Sequence, residues 1–182
     1  MTQIQPSAPD RTSEPDDDPR RREYTWDDPA ATVAALTDRT GLQVLQSMAA
    51  RELPGPPVMH TLAFEAVTFE SGRAVFALDP HEMHYNPIGS VHGGVIATLL
   101  DSATGCAVQS VLPLGRGYTT VDLHTTFLRP VTVRSGRVTV EGTVVNLGSR
   151  TALAEARMTD EKGRLVAHAT STCLIVDLPA LS

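Results

Sequence analysis

The sequence predicts an α+β domain in which one long, nearly all-apolar helix packs against a curved antiparallel β-sheet, with short helices at the N-terminus. Three observations predict it. From Gly93 to Leu112 the chain is apolar or small at almost every position, long enough for a buried helix. Strand-like apolar runs precede and follow that stretch. Short Gly, Ser and Pro signals separate those runs at regular spacing, which is the mark of antiparallel strands in a meander. The element order is helix, two strands, the long helix, then four strands.

Residues 1–27 are rich in Pro, Asp, Ser and Arg, with an acidic run at 16–18 and a basic run at 20–22. Such a segment buries little apolar surface, so a disordered, solvated tail is expected there, followed by one domain over 28–178. Asp28-Pro29 marks the first helix, because Asp caps and Pro suits the first helical position. Val33, Leu36, Leu42, Leu45, Met48 and Ala49 continue a helical pattern, with a break near Gly41. The Pro-rich stretch at 54–57 stops it. Two strand-like runs then start at Met59 and Arg73, joined by Ser71-Gly72 as a hairpin. After the long helix, the four later strands occupy roughly 117–128, 136–148, 151–160 and 164–176, parted by Arg129-Pro130 with Ser135-Gly136, by Gly148-Ser149, and by Lys162-Gly163.

Composition excludes several function classes. A net charge of -6 and only 4% aromatic residues argue against a nucleic-acid surface, since an acidic chain repels phosphate and offers few rings for stacking. Cys106 and Cys173 form no zinc-type spacing and no disulfide framework, and both read as small buried hydrophobes. His81 and His84, with His60 and His168, show no convincing metal-ligand pattern, so no metal is expected. No Gly-x-Ser-x-Gly elbow supports a serine nucleophile. The start of the chain lacks the apolar core of a signal peptide, and Asp101, Gln109 and several hydroxyls make the long apolar run a poor membrane span. A cytoplasmic protein with no membrane partner is expected.

The chemistry concentrates in Asn86-Pro87-Ile88-Gly89-Ser90-Val91-His92-Gly93-Gly94 and the helix it opens. Asp101 is the one charged side chain between Gly93 and Leu112. A carboxylate set in such a helix is costly unless paired, hydrated or used. Two glycines at a helix start let the backbone approach a ligand, and their N–H groups have no intrahelical acceptor. The positive end of the helix dipole suits an oxyanion. Asn86, the glycine N–H groups and a carboxylate about two turns on therefore suit attack on an activated carbonyl. Plainer roles stand beside this one: a helix-edge cap for Asp101 and a tight loop-to-helix turn for Gly93-Gly94. His124 alternates onto the face shared by Asp122 and Thr120, and is a candidate supporting group or simply structural.

The stretch from Asn86 to Gly105 resembles the N-x-x-G-x-x-H-G-G-x(7)-D motif of the PaaI-like branch of the hotdog-fold thioesterases. The likeness continues through Tyr118 to Val131 and Asn146 to Val176, covering roughly residues 41–176. It implies a hotdog fold and hydrolysis of acyl-coenzyme A thioesters, with aryl or short- to medium-chain acyl groups. It also implies residue roles. Asp101 activates water or attacks the thioester, Gly93 supplies the oxyanion N–H, Asn86 orients water or carbonyl, and His92 supports them. Thr120 brings a hydroxyl from a partner subunit. Sites at the subunit boundary imply a homodimer or homotetramer, and no cofactor is implied. Arg129 and Arg150, at turns after apolar strands, could bind the phosphates of coenzyme A or could be ordinary solvated arginines. Two alternatives are a non-catalytic acyl-coenzyme A binder and a hotdog 3-hydroxyacyl thioester dehydratase, whose His with Glu or Asp pattern is not found here.

Overall fold

A computed structural model describes residues 20–178. The element order is α1 (Ala30–Ala35), α2 (Gly41–Ala49), α3 (Pro57–Leu62), β1 (Phe64–Glu70), β2 (Arg73–Leu78), α4 (Gly93–Gln109), β3 (Arg116–Phe127), β4 (Val138–Leu147), β5 (Thr151–Thr159) and β6 (Leu165–Asp177). Local sequence explains the helix ends. The Asp28 carboxylate accepts the Ala30 N–H at 2.9 Å, ahead of α1. The break near Gly41 is a new start: Thr40 and Gln43 form a reciprocal capping box on α2.

One expectation is corrected at Pro57. The run from Met59 does not begin as a strand, because Pro57 sits in the first turn of α3 and pre-sets helical φ. Ala63, left-handed at φ 52°, ends that helix, and β1 begins at Phe64.

The six strands form a single antiparallel sheet in the order β1-β2-β4-β5-β6-β3. This departs from a plain meander. The segment 128–137 carries the chain across the sheet, so β3 pairs with β6 at the far edge and β4 pairs with β2. α4 crosses one face. Leu99, Leu100, Ala103 and Ala107 are fully buried against Val140, Ala156, Ala169 and Met158. Small residues let helix and sheet approach closely. A Cβ on Gly142 of β4 would fall 2.2 Å from the Ala103 carbonyl oxygen of α4.

β3 carries an irregularity that matters for the site. Its pairing with β6 shifts between Thr120 and Asp122, leaving Val121 as an extra, exposed residue. Thr120 pairs with Cys173, whereas Asp122 and His124 pair with Thr172 and Thr170. Cys173 and Thr172 face opposite ways, so Thr120 points to the helix side while Asp122 and His124 point away. The expectation that His124 shares a face with Thr120 is corrected accordingly.

The expected tail, 1–27, lies outside the described residues as far as residue 19. Residues 20–27 carry no helix or strand, and Arg22 donates to the carbonyls of Thr61, at 2.8 Å, and His60. Among the described residues, no helix is long and apolar enough to cross a membrane.

Candidate active site

The loop entering α4 is tied across its base by three successive pairs. The His84 carbonyl accepts the His92 N–H at 2.7 Å, Tyr85 bridges Val91, and the Asn86 N–H donates to the Ser90 carbonyl at 2.8 Å. Asn86 also folds the loop with its side chain. Its Oδ1 accepts the N–H groups of Ile88 (3.1 Å) and Ser90 (3.3 Å), and its Nδ2 donates to Ser90 Oγ at 3.2 Å. Gly89, at φ 82°, makes the reversal that those bonds require. One hydrogen of the Asn86 amide keeps no acceptor among the described residues.

His92 then caps α4. Its Nδ1 accepts the Gly94 N–H at 2.9 Å, which places any ring proton of the neutral imidazole on Nε2. Its carbonyl takes the N–H groups of Val95 and Ile96. Gly93 is thereby singled out. At the first helical position its N–H has no partner among the described residues, while the rest of the first turn is satisfied. His92 is thus placed as the cap of α4.

Asp101 lies on α4 about 12 Å further along the axis, eight residues at the helical rise. It is half-buried, and Thr120 Oγ1 donates to its Oδ1 at 2.9 Å. Thr120 belongs to the same chain as Asp101. β3 runs beside α4 of its own chain, so this bond is made within one copy. The other titratable groups near this carboxylate stay neutral. Burial first, then the Asp101 charge, pushes the Cys106 thiol up to about 12. Burial also lifts the Tyr118 phenol well above its ordinary value, with Cys106 and Asp101 adding to the effect.

The candidate residues therefore fall into groups. Asn86, Gly93 and Arg129 line one cleft of about 340 Å3, together with Ile96, Phe127 and Ser90. Asp101 and Thr120 form a second group further down the helix. Arg150 is exposed in the β4–β5 connection and lines no part of that cleft. Arg129 donates to the Leu165 carbonyl, which anchors it at the cleft rim. Three neighbours escaped sequence reasoning. Ser90 holds the Asn86 amide. Phe127 brings its Cζ within 3.2 Å of where a Cβ on Gly93 would lie. His84 is buried beneath the loop. Ser90 lies inside the motif stretch and His84 two residues ahead of it, but nothing in the pattern separates their roles from those of other loop residues. No cluster of three metal-ligating side chains occurs among the described residues.

The chain is similar to several known proteins. Residues 88–167 match the thioesterase superfamily, a span that includes every candidate site residue except Asn86. A relative in Halobacterium salinarum, named as an esterase, is 42% identical over 69 residues, which cover 37% of this chain and 44% of that protein's length. Acyl-coenzyme A thioesterase 13 of Mus musculus is 27% identical over 112 residues, covering 59% of this chain and 79% of that protein. A variant of the phenylacetic acid degradation protein PaaI from Thermus thermophilus superposes with a TM-score of 0.59 at 30% identity, covering 65% of this chain and 98% of that one. The sheet order, the glycine-opened central helix and these likenesses converge: the chain belongs to the thioesterase superfamily of thioester hydrolases, in its PaaI-like hotdog branch.

Proposed function

We propose that this protein hydrolyses acyl-coenzyme A thioesters, with aryl or short- to medium-chain acyl groups, to the free acid and coenzyme A. The observation that carries the reading is the Asp101 carboxylate, oriented by Thr120 on the helix whose first N–H, that of Gly93, is unclaimed. Thr120 occupies Oδ1. The second oxygen then either draws a proton from water as it adds to the carbonyl, or attacks the carbonyl itself to give a mixed anhydride that water afterwards cleaves to the free acid. In both versions the thioester oxygen becomes an oxyanion, and the Gly93 N–H at the positive end of α4 suits that charge. Thiolate leaves readily, so one carboxylate and one donor supply much of the acceleration a thioester needs. Asn86 directs its remaining amide hydrogen at water or carbonyl, and His92 maintains the helix start. Arg129, at the rim of the cleft, suits a phosphate of coenzyme A, and Arg150 is a second candidate for that role.

The roughly 12 Å between Gly93 and Asp101 supports a site shared between two copies. Gly93 and Asn86 of one copy would then meet Asp101 and Thr120 of the other, in a homodimer or a tetramer built from such pairs. β3 favours such pairing: it is a long edge strand whose outer side has no partner among the described residues. The substrate class implies a cytoplasmic enzyme.

Thiol release from a panel of acyl-coenzyme A substrates tests the reading. Release that disappears in Asp101→Ala, with the fold retained by circular dichroism, is the expected result. Tight binding without turnover would make the protein a binder, and loss of an enoyl absorbance would make it a dehydratase; either overturns the hydrolase.

A further inference from the structure

We infer that His84 is a positioning residue for the reaction, holding the loop whose far end presents the Gly93 N–H, and that protonating its ring releases that hold. The inference rests on the proposed hydrolase reading. His84 is 3% exposed, and three of its hydrogen bonds fix the loop. Its Nε2 donates to the Leu62 carbonyl at 2.9 Å, so its Nδ1 must accept the His81 N–H at 3.0 Å. Its own carbonyl takes the His92 N–H at 2.7 Å, one residue before Gly93. The ring therefore pins the loop to the end of α3, and the backbone passes that constraint to the helix start. Gly93 has no side chain with which to hold itself.

A proton on Nδ1 would face the His81 N–H, setting donor against donor. The surroundings oppose that proton as well. Burial is the largest effect lowering the ring's affinity for protons, and the neighbouring His81 and Arg22 lower it further. The Leu62 carbonyl acts in the opposite sense but is outweighed. The groups with charge effects on the ring are thus His81, from the same turn, and Arg22, from the N-terminal segment; no carboxylate is among them. Because the folded ring titrates below its ordinary value of about 6.5, the clamp is intact above that pH. It is lost as pH falls through the lower, folded value.

The test uses the full chain, thiol release and two variants. His84→Leu removes both ring bonds. His84→Gln keeps a donor for Leu62 but cannot titrate. For His84→Leu, kcat is expected to fall about 10²-fold with KM changed less than about threefold, because an oxyanion donor acts in the transition state. His84→Gln is expected to recover most of that loss and to move the acid limb of the kcat profile to lower pH. An unchanged acid limb in His84→Gln overturns the inference, as does a folded His84→Leu with wild-type kcat. If His84→Leu does not fold, the acid limb of His84→Gln decides alone. Absence of thiol release from the wild type would instead overturn the hydrolase reading itself.

Discussion

At the scale of single residues, donor and carboxylate can be tested separately. Gly93→Pro removes the N–H that, in the first turn of α4, has no partner among the described residues, while keeping the helix, since proline suits the first helical position and His92 (φ -60°, ψ 136°) already has the extended backbone a following proline demands. kcat is expected to fall about 10²–10³-fold. Gly93→Ala is the control: it keeps the N–H and asks Phe127 to yield by a few tenths of an ångström, so most activity should remain. Asp101→Asn should cost about 10²–10⁴-fold in kcat. Thr120→Val, which removes one bond to the carboxylate, should cost about tenfold, equivalent to roughly 1.4 kcal/mol. Steady-state kinetics on a single acyl-coenzyme A checks all four. Cys106, with its thiol pushed up to about 12, is no nucleophile, so Cys106→Ala should keep activity within about threefold and match the wild type in its sensitivity to thiol reagents.

At the scale of elements, the contact between α4 and β4 carries the next expectation. Gly142→Ala forces a Cβ onto the backbone of Ala103 and Thr104, where no flexible side chain can move aside. The midpoint of urea unfolding should drop by an amount equivalent to about 1–3 kcal/mol, at unchanged slope. The same elements show what the sequence made legible. α4 was readable because its apolar run is long and opens on two glycines, and β4, β5 and β6 because their turns carry Gly and Ser. α3 was hidden, since its six residues blend into the alternating pattern of β1 and only Pro57 hints at a start. The place of β3 was hidden too, because local pattern says nothing about which distant strand becomes a neighbour. The bulge at Val121 is another such case: one extra residue reverses which side chains face the helix, without any Gly or Pro to mark it. Asn86, Gly93 and Asp101 stand out in the sequence as candidates, whereas the cleft that Asn86 and Gly93 share with Arg129 is visible only in the fold.

At the scale of the whole molecule, the proposed shared site makes a prediction that no single chain can satisfy. Gly93→Pro and Asp101→Ala should each be inactive alone. In a two-fold dimer, random mixing pairs the two variants in about half of the dimers, and each mixed dimer has one intact site of its two. About a quarter of wild-type activity should therefore return on unfolding and refolding the variants together. No recovery, with mixed dimers demonstrated by mass spectrometry, would place the whole site within one copy. The spacing along α4 also bears on kinetics at low abundance. If each working centre needs parts from two polypeptides, turnover per millilitre should scale with the square of protein concentration once most chains are solitary. Dilution alone would then silence the enzyme, and the amount of chain a cell makes would act as a threshold as well as a multiplier.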